Sequence, residues 1–438
     1  MRRLRALLKW LYPGMRVKRW LCLLLVGAVV AVLGLAAVGL ASGWDPLRQA
    51  DRAVLWLARE AGVATQGNPL VLWSGAFVAA AGVALCLFAM ARLWTSLTTA
   101  LTPVGDTGSL VDAVYRNRYL AQGPRIVVLG GGTGLSTLLR GVKQYTSNIV
   151  AVVTVTDDGG SSGKLQQQLG ILPPGDIRNC LAALADAEQT MIELFQYRFR
   201  GEHVGQGLRD HAFGNLLIAA LCSISDNDFE EAVRQASRVL NIRGRVLPST
   251  LARVSLRAEM EDGSMLEGET NIVHSPLRLR RIWLTPGDAQ PLDEVIDAID
   301  RADVIAIGPG SVFTSVIPNL LVRGIPEALH RSRAPKVYIC NVMTQPGETD
   351  GFAASDHVKA IEAHVKQRVF DYVLVNTGTP SLELLTKYRQ QGAVLVEPDT
   401  DRIRAMGYRP RTGQFVSQSD VVRHDPALLA EAVVRLLL

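Results

Sequence analysis

Glycines followed by hydroxyl side chains recur along this chain at the ends of apolar runs, a combination suited to holding a phosphate. The first case is Ile126-Val-Val-Leu-Gly-Gly-Gly-Thr-Gly-Leu135. Glycine lets backbone N–H groups approach an anion closely, and a helix starting just beyond adds partial positive charge. Gly131, Gly132, Thr133 and Gly134 are therefore candidate phosphate contacts. The run is not the dinucleotide fingerprint, because G-x-G-x-x-G beginning at Gly130 needs glycine where Leu135 stands. Ile307-Gly-Pro-Gly-Ser-Val-Phe-Thr-Ser315 has the same strand, glycine, hydroxyl and helix sense, which makes Gly308, Gly310 and Ser311 candidates too.

Carboxylates enter with Thr156-Asp-Asp-Gly-Gly-Ser-Ser-Gly-Lys164. The stretch is only superficially a P-loop: Asp158 stands where the leading glycine belongs, and Leu165 replaces the hydroxyl that would hold magnesium. Asp157 and Asp158, at a strand end, are placed to hold a divalent cation such as Mg2+ or a ribose hydroxyl. On the plainer reading, one aspartate caps the next turn and the other is solvated. Ser161 and Ser162 belong to the same loop. In Leu172-Pro-Pro-Gly-Asp-Ile-Arg-Asn-Cys180, Asp176 is most simply a helix N-cap, with Arg178 and Asn179 in the first turn and within reach of a ligand. His211-Ala-Phe-Gly-Asn215 opens another apolar helix; His211 is either satisfied by backbone or a ligand group, and Asn215 is a candidate contact. In Cys340-Asn-Val-Met-Thr-Gln-Pro-Gly-Glu-Thr-Asp350, the side chains of Asn341, Thr344, Gln345 and Glu348 offer hydrogen bonds, to a ligand or within the turn.

Elements that would position these loops can be read around them. Arg125–Leu129, Ile149–Val155, Val304–Ile307, Lys336–Cys340 and Tyr372–Val375 are short apolar runs of buried-strand type. Helical patterns lie between, at Asp176–Ala187, Gly214–Ile224, Phe229–Leu240, Asp293–Ala302, Asp356–Gln367 and Ser381–Gln390. Such alternation predicts an α/β fold with a doubly wound, mostly parallel sheet, whose ligands bind beyond the carboxyl ends of the strands. Residues 251–284 break the rhythm and read as a small antiparallel insertion.

The net charge of +5 is a local property. Arg2, Arg3, Arg5, Lys9, Arg16, Lys18 and Arg19 crowd the first nineteen residues without an acid, and the remainder is slightly acidic. No basic domain face is implied, so no nucleic-acid partner is expected. The five cysteines form no C-x-x-C pair and read as reduced thiols. Leu21 to Ala41 and Leu70 to Ala91 carry no charge, and each is long enough to cross about 30 Å of hydrocarbon as a helix. A second span so soon after the first argues against a cleaved signal peptide. The basic residues before the first span place the N-terminus in the cytoplasm, and two spans return the chain there. The expected organisation is a basic tail over 1–19, two transmembrane helices over 20–92 joined by a short extracytoplasmic stretch with an amphipathic segment at 47–62, a linker over 93–123, and a ligand-binding domain over 124–438.

The motifs taken in order are similar to one family. Gly-Gly-Gly-Thr-Gly at 130–134, Asp-Asp-Gly-Gly-Ser-Ser-Gly at 157–163, Pro-Pro-Gly-Asp-Ile-Arg-Asn at 173–179, Gly-Asn-Leu at 214–216, Gly-Pro-Gly-Ser at 308–311 with Ile-Pro-Asn-Leu at 317–320, and Met-Thr-Gln-Pro-Gly-Glu-Thr-Asp at 343–350 resemble the YvcK, or gluconeogenesis factor, branch of the CofD-like superfamily. The resemblance covers about residues 124–438. It implies a Rossmann-like fold that binds UDP-sugars, notably UDP-N-acetylglucosamine, and a regulatory role linking carbon metabolism to cell-wall synthesis and cell shape. It also implies that Tyr388 and Arg423 hold the nucleotide sugar. Self-association and contact with cell-wall synthesis proteins belong to the same expectation, and no cofactor is required by it. The competing expectation is a magnesium-dependent transferase of the CofD branch, which moves phospholactate onto a deazaflavin, with Asp157 and Asp158 as metal ligands. The paired spans depart from the soluble pattern usual in the family and place this chain on the inner face of the cell membrane.

Overall fold

The computed structural model describes residues 18–42, 68–101, 120–187, 189–201, 204–205, 207–417 and 421–437. The chain divides after Val111 into two units.

In the first unit, uninterrupted Leu, Val and Ala build helices over Lys18–Ser42 and Pro69–Leu101. Each contains a stretch long and apolar enough to cross a membrane, Arg19–Gly39 and Pro69–Thr95. The second helix runs beyond the Ala91 limit expected from sequence. The two helices meet along a seam of small residues: a Cβ at Gly34 would collide with the backbone of Ala79, and one at Gly82 with that of Ala31. Such close approach is how helices associate where no water is present to drive apolar groups together. Bulky Leu25, Trp73 and Phe77 face outward. The expected amphipathic segment at 47–62, residues 1–17 and most of the 93–123 linker lie outside the described residues.

The second unit is built on seven parallel strands: β1 (Ile126–Gly130), β2 (Ile149–Val153), β3 (Arg245–Pro248), β7 (Val304–Ile307), β8 (Lys336–Ile339), β9 (Tyr372–Asn376) and β10 (Arg409–Gly413). They lie side by side in the order β10-β9-β8-β7-β1-β2-β3. The strands from β2 through β9 are buried almost throughout, which is why their sequences are continuous apolar runs with helices covering both faces. Helix Gly132–Val142 packs against Gly175–Leu184 and against the C-terminal helix Pro426–Val434. Local signals set the helix starts: Asp228 opens Phe229–Val239 by accepting the Glu231 amide at 3.0 Å.

Three further strands, β4 (Ser255–Met260), β5 (Met265–Glu267) and β6 (Leu279–Thr285), form the antiparallel insertion in the order β5-β4-β6. Leu256, Ala258 and Met260 alternate inward with outward Arg257, the period-two signature of a half-covered sheet. A short helix, Glu269–Val273, follows β5.

Two edges remain. Among the described strands β10 pairs only with β9, the Arg409 amide donating to Asp371 O at 3.0 Å and the Thr377 amide to Gly413 O at 2.8 Å. Odd-numbered residues of β10 therefore turn their backbone groups toward β9, and Pro410 sits where an N–H would face outward.

Candidate functional site

Strand order reverses between β1 and β7, which lie in direct register from Ile126 beside Val304 to Leu129 beside Ile307. Both glycine loops with the phosphate-type pattern leave the carboxyl ends of these two strands, so they meet at the switch point where α/β sheets bind ligands. Gly132 is at φ +64°, a left-handed conformation that lets helix Gly132–Val142 start immediately after β1. A Cβ on Gly134 would lie 2.5 Å from Pro309 O, so only glycine permits the two loops to touch. Asn319, from the Ile-Pro-Asn-Leu motif, clamps both: its Nδ2 donates to Gly130 O at 3.0 Å and to Ser315 O at 2.8 Å.

Beyond the loops lies a cavity of about 610 Å3. The first loop lines it through Gly131, Gly132, Thr133 and Gly134, the second through Gly310, Ser311, Thr314 and Ser315, and the loop after β8 through Asn341, Thr344, Gln345 and Glu348. Tyr388, Arg423 and His424 complete one wall, and Glu269 of the insertion another. The wall residues are fixed from behind. Gly310 N donates to Asn341 Oδ1 at 3.2 Å, and Asn341 Nδ2 to Gln345 Oε1 at 3.2 Å. Thr344 Oγ1 accepts the Val394 amide at 2.9 Å. Ser311 Oγ accepts the Thr314 amide at 3.1 Å within the π turn Val312–Val316 and donates to Glu348. Val342, Met343, Ala393 and Val422 make a small apolar cluster beneath Tyr388. The Tyr388 hydroxyl accepts the Val422 amide at 3.2 Å, which holds the backbone that presents Arg423.

The cavity brings donors and acids together. Its lining includes glycine-loop residues at a helix N-terminus and Arg423, groups suited to an anion. Glu348 and Glu269 line it as well, and Asp176 lies beside the first glycine loop. Burial pushes the Glu348 carboxyl up to about 7 against the pull of Ser311. Burial, together with Asp157 and Asp176, raises Glu269 well above the carboxylate range. Burial and Asp157 push Asp176 up to about 6, opposed by the Gly132 amide and Arg178. Asp176 is thus not the cap of the helix it opens; that position is Pro174, and the aspartate reaches the first glycine loop instead. His424, buried, is pushed down to about 4 and stays neutral.

The remaining sequence candidates lie behind or beside this cavity. Gly308 precedes it, its amide donating to Leu129 O at 2.7 Å. Asp157 Oδ1 accepts the Gly159 amide at 3.0 Å, while Asp158 Oδ1 accepts the amide and hydroxyl of Thr270 at 2.9 and 2.7 Å. The two carboxylates engage different neighbours, and among the described residues no group of three or more His, Cys, Asp or Glu is arranged to hold a metal ion. Ser161 is a buried hub: its Oγ lies 3.0 Å from His211 Nδ1 and accepts from Asn215 Nδ2 at 3.0 Å. Ser162 is buried beside Gly175. Arg178 is buried, donates to Asn179 Oδ1 at 2.8 Å, and is pushed down to about 10 by burial and by Arg198. Glu269, Thr314, Ser315, Gln391 and His424 line the cavity without having been singled out from sequence as binding residues. Ser315 ends the quoted second loop and carries a hydroxyl signal; Glu269 follows β5 within the insertion and carries no local signal at all.

The CofD family, described as 2-phospho-L-lactate transferase CofD, matches residues 126–416. A Bacillus subtilis protein named gluconeogenesis factor is 49% identical over 319 residues, covering 73% of this chain and 99% of its own. A relative from Nostoc is 45% identical over 433 residues, 98% of this chain and 92% of its own, so its match extends through the N-terminal helices. The crystal structure of a Bacillus halodurans protein of the upf0052 family superimposes with a TM-score of 0.68 at 47% identity, covering 71% of this chain and 99% of that one. With its Rossmann-like sheet and paired glycine loops, the chain belongs to the CofD-like gluconeogenesis factor family.

Proposed function

We propose that this chain is a membrane-anchored regulatory factor that binds a nucleotide sugar of the UDP-N-acetylglucosamine class and links carbon metabolism to cell-wall synthesis and cell shape. The observation that carries the reading is the lining of the cavity: glycine-loop amides and Arg423 for a pyrophosphate, the Tyr388 ring for a base or sugar, and Glu269 and Glu348 for hydroxyl groups. A gluconeogenesis factor name on the Bacillus relative supports the regulatory assignment. The apolar stretches Arg19–Gly39 and Pro69–Thr95, preceded by a basic tail, support the anchor with the large domain on the cytoplasmic side.

The test is thermal unfolding of the full chain in detergent with UDP-N-acetylglucosamine, UDP or GTP, each with and without magnesium. A ligand at a hundred times its dissociation constant stabilises by about 2.7 kcal/mol. Stabilisation by the UDP-sugar without magnesium is the expected result. The description of the matched family favours a second reading, a magnesium-dependent transferase of phosphorus-containing groups. A magnesium-dependent response to GTP alone would replace the first reading with the second.

A further inference from the structure

We infer that Asp158 is a positioning residue: it holds the antiparallel insertion against the loop that follows β2, residues 157–163, so that Glu269 stands in the cavity and accepts hydrogen bonds from the hydroxyl-bearing half of the ligand. The inference rests on the nucleotide-sugar reading and deepens it.

The link is built from both sides. Thr270 gives both its amide and its hydroxyl to a single oxygen of Asp158, at 2.9 and 2.7 Å. The other Asp158 oxygen fills the space that a Cβ on Gly268 would need, and Gly268 is at φ +92°. The turn that carries Thr270 is stiff: Gly268 N donates to Leu256 O of β4 at 2.8 Å, and Asn271 Nδ2 to Glu267 O at 2.7 Å. Glu269 is the residue between these two anchor points, so fixing Gly268 and Thr270 fixes where its side chain leaves the backbone. Thr156, which precedes the aspartate pair, donates to Glu269 Oε2 at 3.4 Å from the same loop.

Glu269 and Val273 are the part of the insertion that lines the cavity. Among the described residues no lysine or arginine forms an ion pair with Glu269, so its oxygens have acceptor capacity beyond the long Thr156 contact. A carboxyl so placed keeps an accepting oxygen whether ionised or protonated, and so receives donors. Sugar hydroxyls and an amide N–H are donors, whereas the phosphates of a bare nucleoside diphosphate are not.

The probes are UDP and UDP-N-acetylglucosamine, titrated calorimetrically against the full chain in detergent. The wild type is expected to prefer the sugar nucleotide. Glu269→Ala should cut that preference about tenfold while UDP affinity holds. Asp158→Ala should lose the same preference, and Thr270→Val part of it. Asp158→Asn keeps an oxygen that accepts both Thr270 hydrogens and should restore it. A general folding defect would weaken UDP as well, so the ratio of the two affinities isolates the positioning effect. An unchanged ratio in Glu269→Ala overturns the inference, and so does Asp158→Asn behaving like Asp158→Ala. Failure of the wild type to bind either probe would sink the nucleotide-sugar reading itself, and the inference with it.

Discussion

Asn319 and Gly130 stand 189 residues apart, yet the Asn319 amide donates a 3.0 Å hydrogen bond to the carbonyl that ends β1. The same nitrogen reaches Ser315 O at 2.8 Å. One buried side chain therefore ties together the two loops that form the floor of the cavity, and neither loop shifts alone.

Replacing it should be costly. Asn319→Leu removes the shared donor and leaves two buried carbonyl oxygens weakened, each at about 1–3 kcal/mol. We expect a stability loss of roughly 2–4 kcal/mol in urea unfolding, together with loss of ligand-induced stabilisation. An unchanged denaturation midpoint would show that the clamp contributes nothing.

Glu348 should make stability depend on pH. Its folded value near 7 lies above the ordinary 4.5, so the folded state holds the proton more tightly than the unfolded chain. The stabilisation is complete below about 4.5 and is lost as pH rises through 7. Glu348→Gln, which removes that loss, should be more stable than wild type above pH 7 by up to roughly 3 kcal/mol, with the two converging toward acid. Parallel stability curves from pH 4 to 8 would contradict this. The cavity should meanwhile bind its ligand less well.

Arg423 and Tyr388 are expected to fail in different ways. Arg423→Ala removes a cation that lines the cavity and should weaken UDP and the UDP-sugar alike, by about ten- to a hundredfold at 1.5–3 kcal/mol for a charge-assisted bond. Tyr388→Phe keeps the ring but frees the Val422 amide. A loss of about fivefold is expected, roughly 1 kcal/mol for one neutral hydrogen bond. Equal effects of the two changes in binding titrations would refute the division of roles.

In the first unit, Gly82→Val drives side-chain atoms into the backbone at Ala31. The helices must then separate at their seam, exposing Cys86, whose thiol now reaches Leu24 O at 3.6 Å. Faster labelling of Cys86 by a membrane-permeant maleimide is the expected readout, and a rate equal to wild type would count against the seam.

How much of this was legible beforehand depended on what each residue's signal was for. β1, β2, β7, β8 and β9 were readable because a strand covered on both faces must be apolar throughout. β3 and β10 were missed because edge strands obey another rule: Arg245-Val-Leu-Pro248 and Arg409-Pro-Arg-Thr-Gly413 carry charge and proline instead of an apolar run. The glycine loops announced themselves, since glycine after a strand has few other uses. Their division of labour did not: Asp158 looked like a ligand group, and only its contact with a turn 112 residues later shows what it holds. Glu269 was invisible for the same reason, because its place in the cavity is created by the docking of the insertion and not by its neighbours in sequence.

Pro410 gives the outer border of the sheet a property that matters for crowding. Under the proposed anchoring, copies of the chain would diffuse in two dimensions, where collisions between identical copies are frequent and their borders are brought repeatedly into line. A strand with a full row of outward amides would let one copy zip onto the next. Here the outward row is interrupted at Pro410 and flanked by the exposed, like-charged Arg409 and Arg411, features that disfavour edge-to-edge pairing of strands.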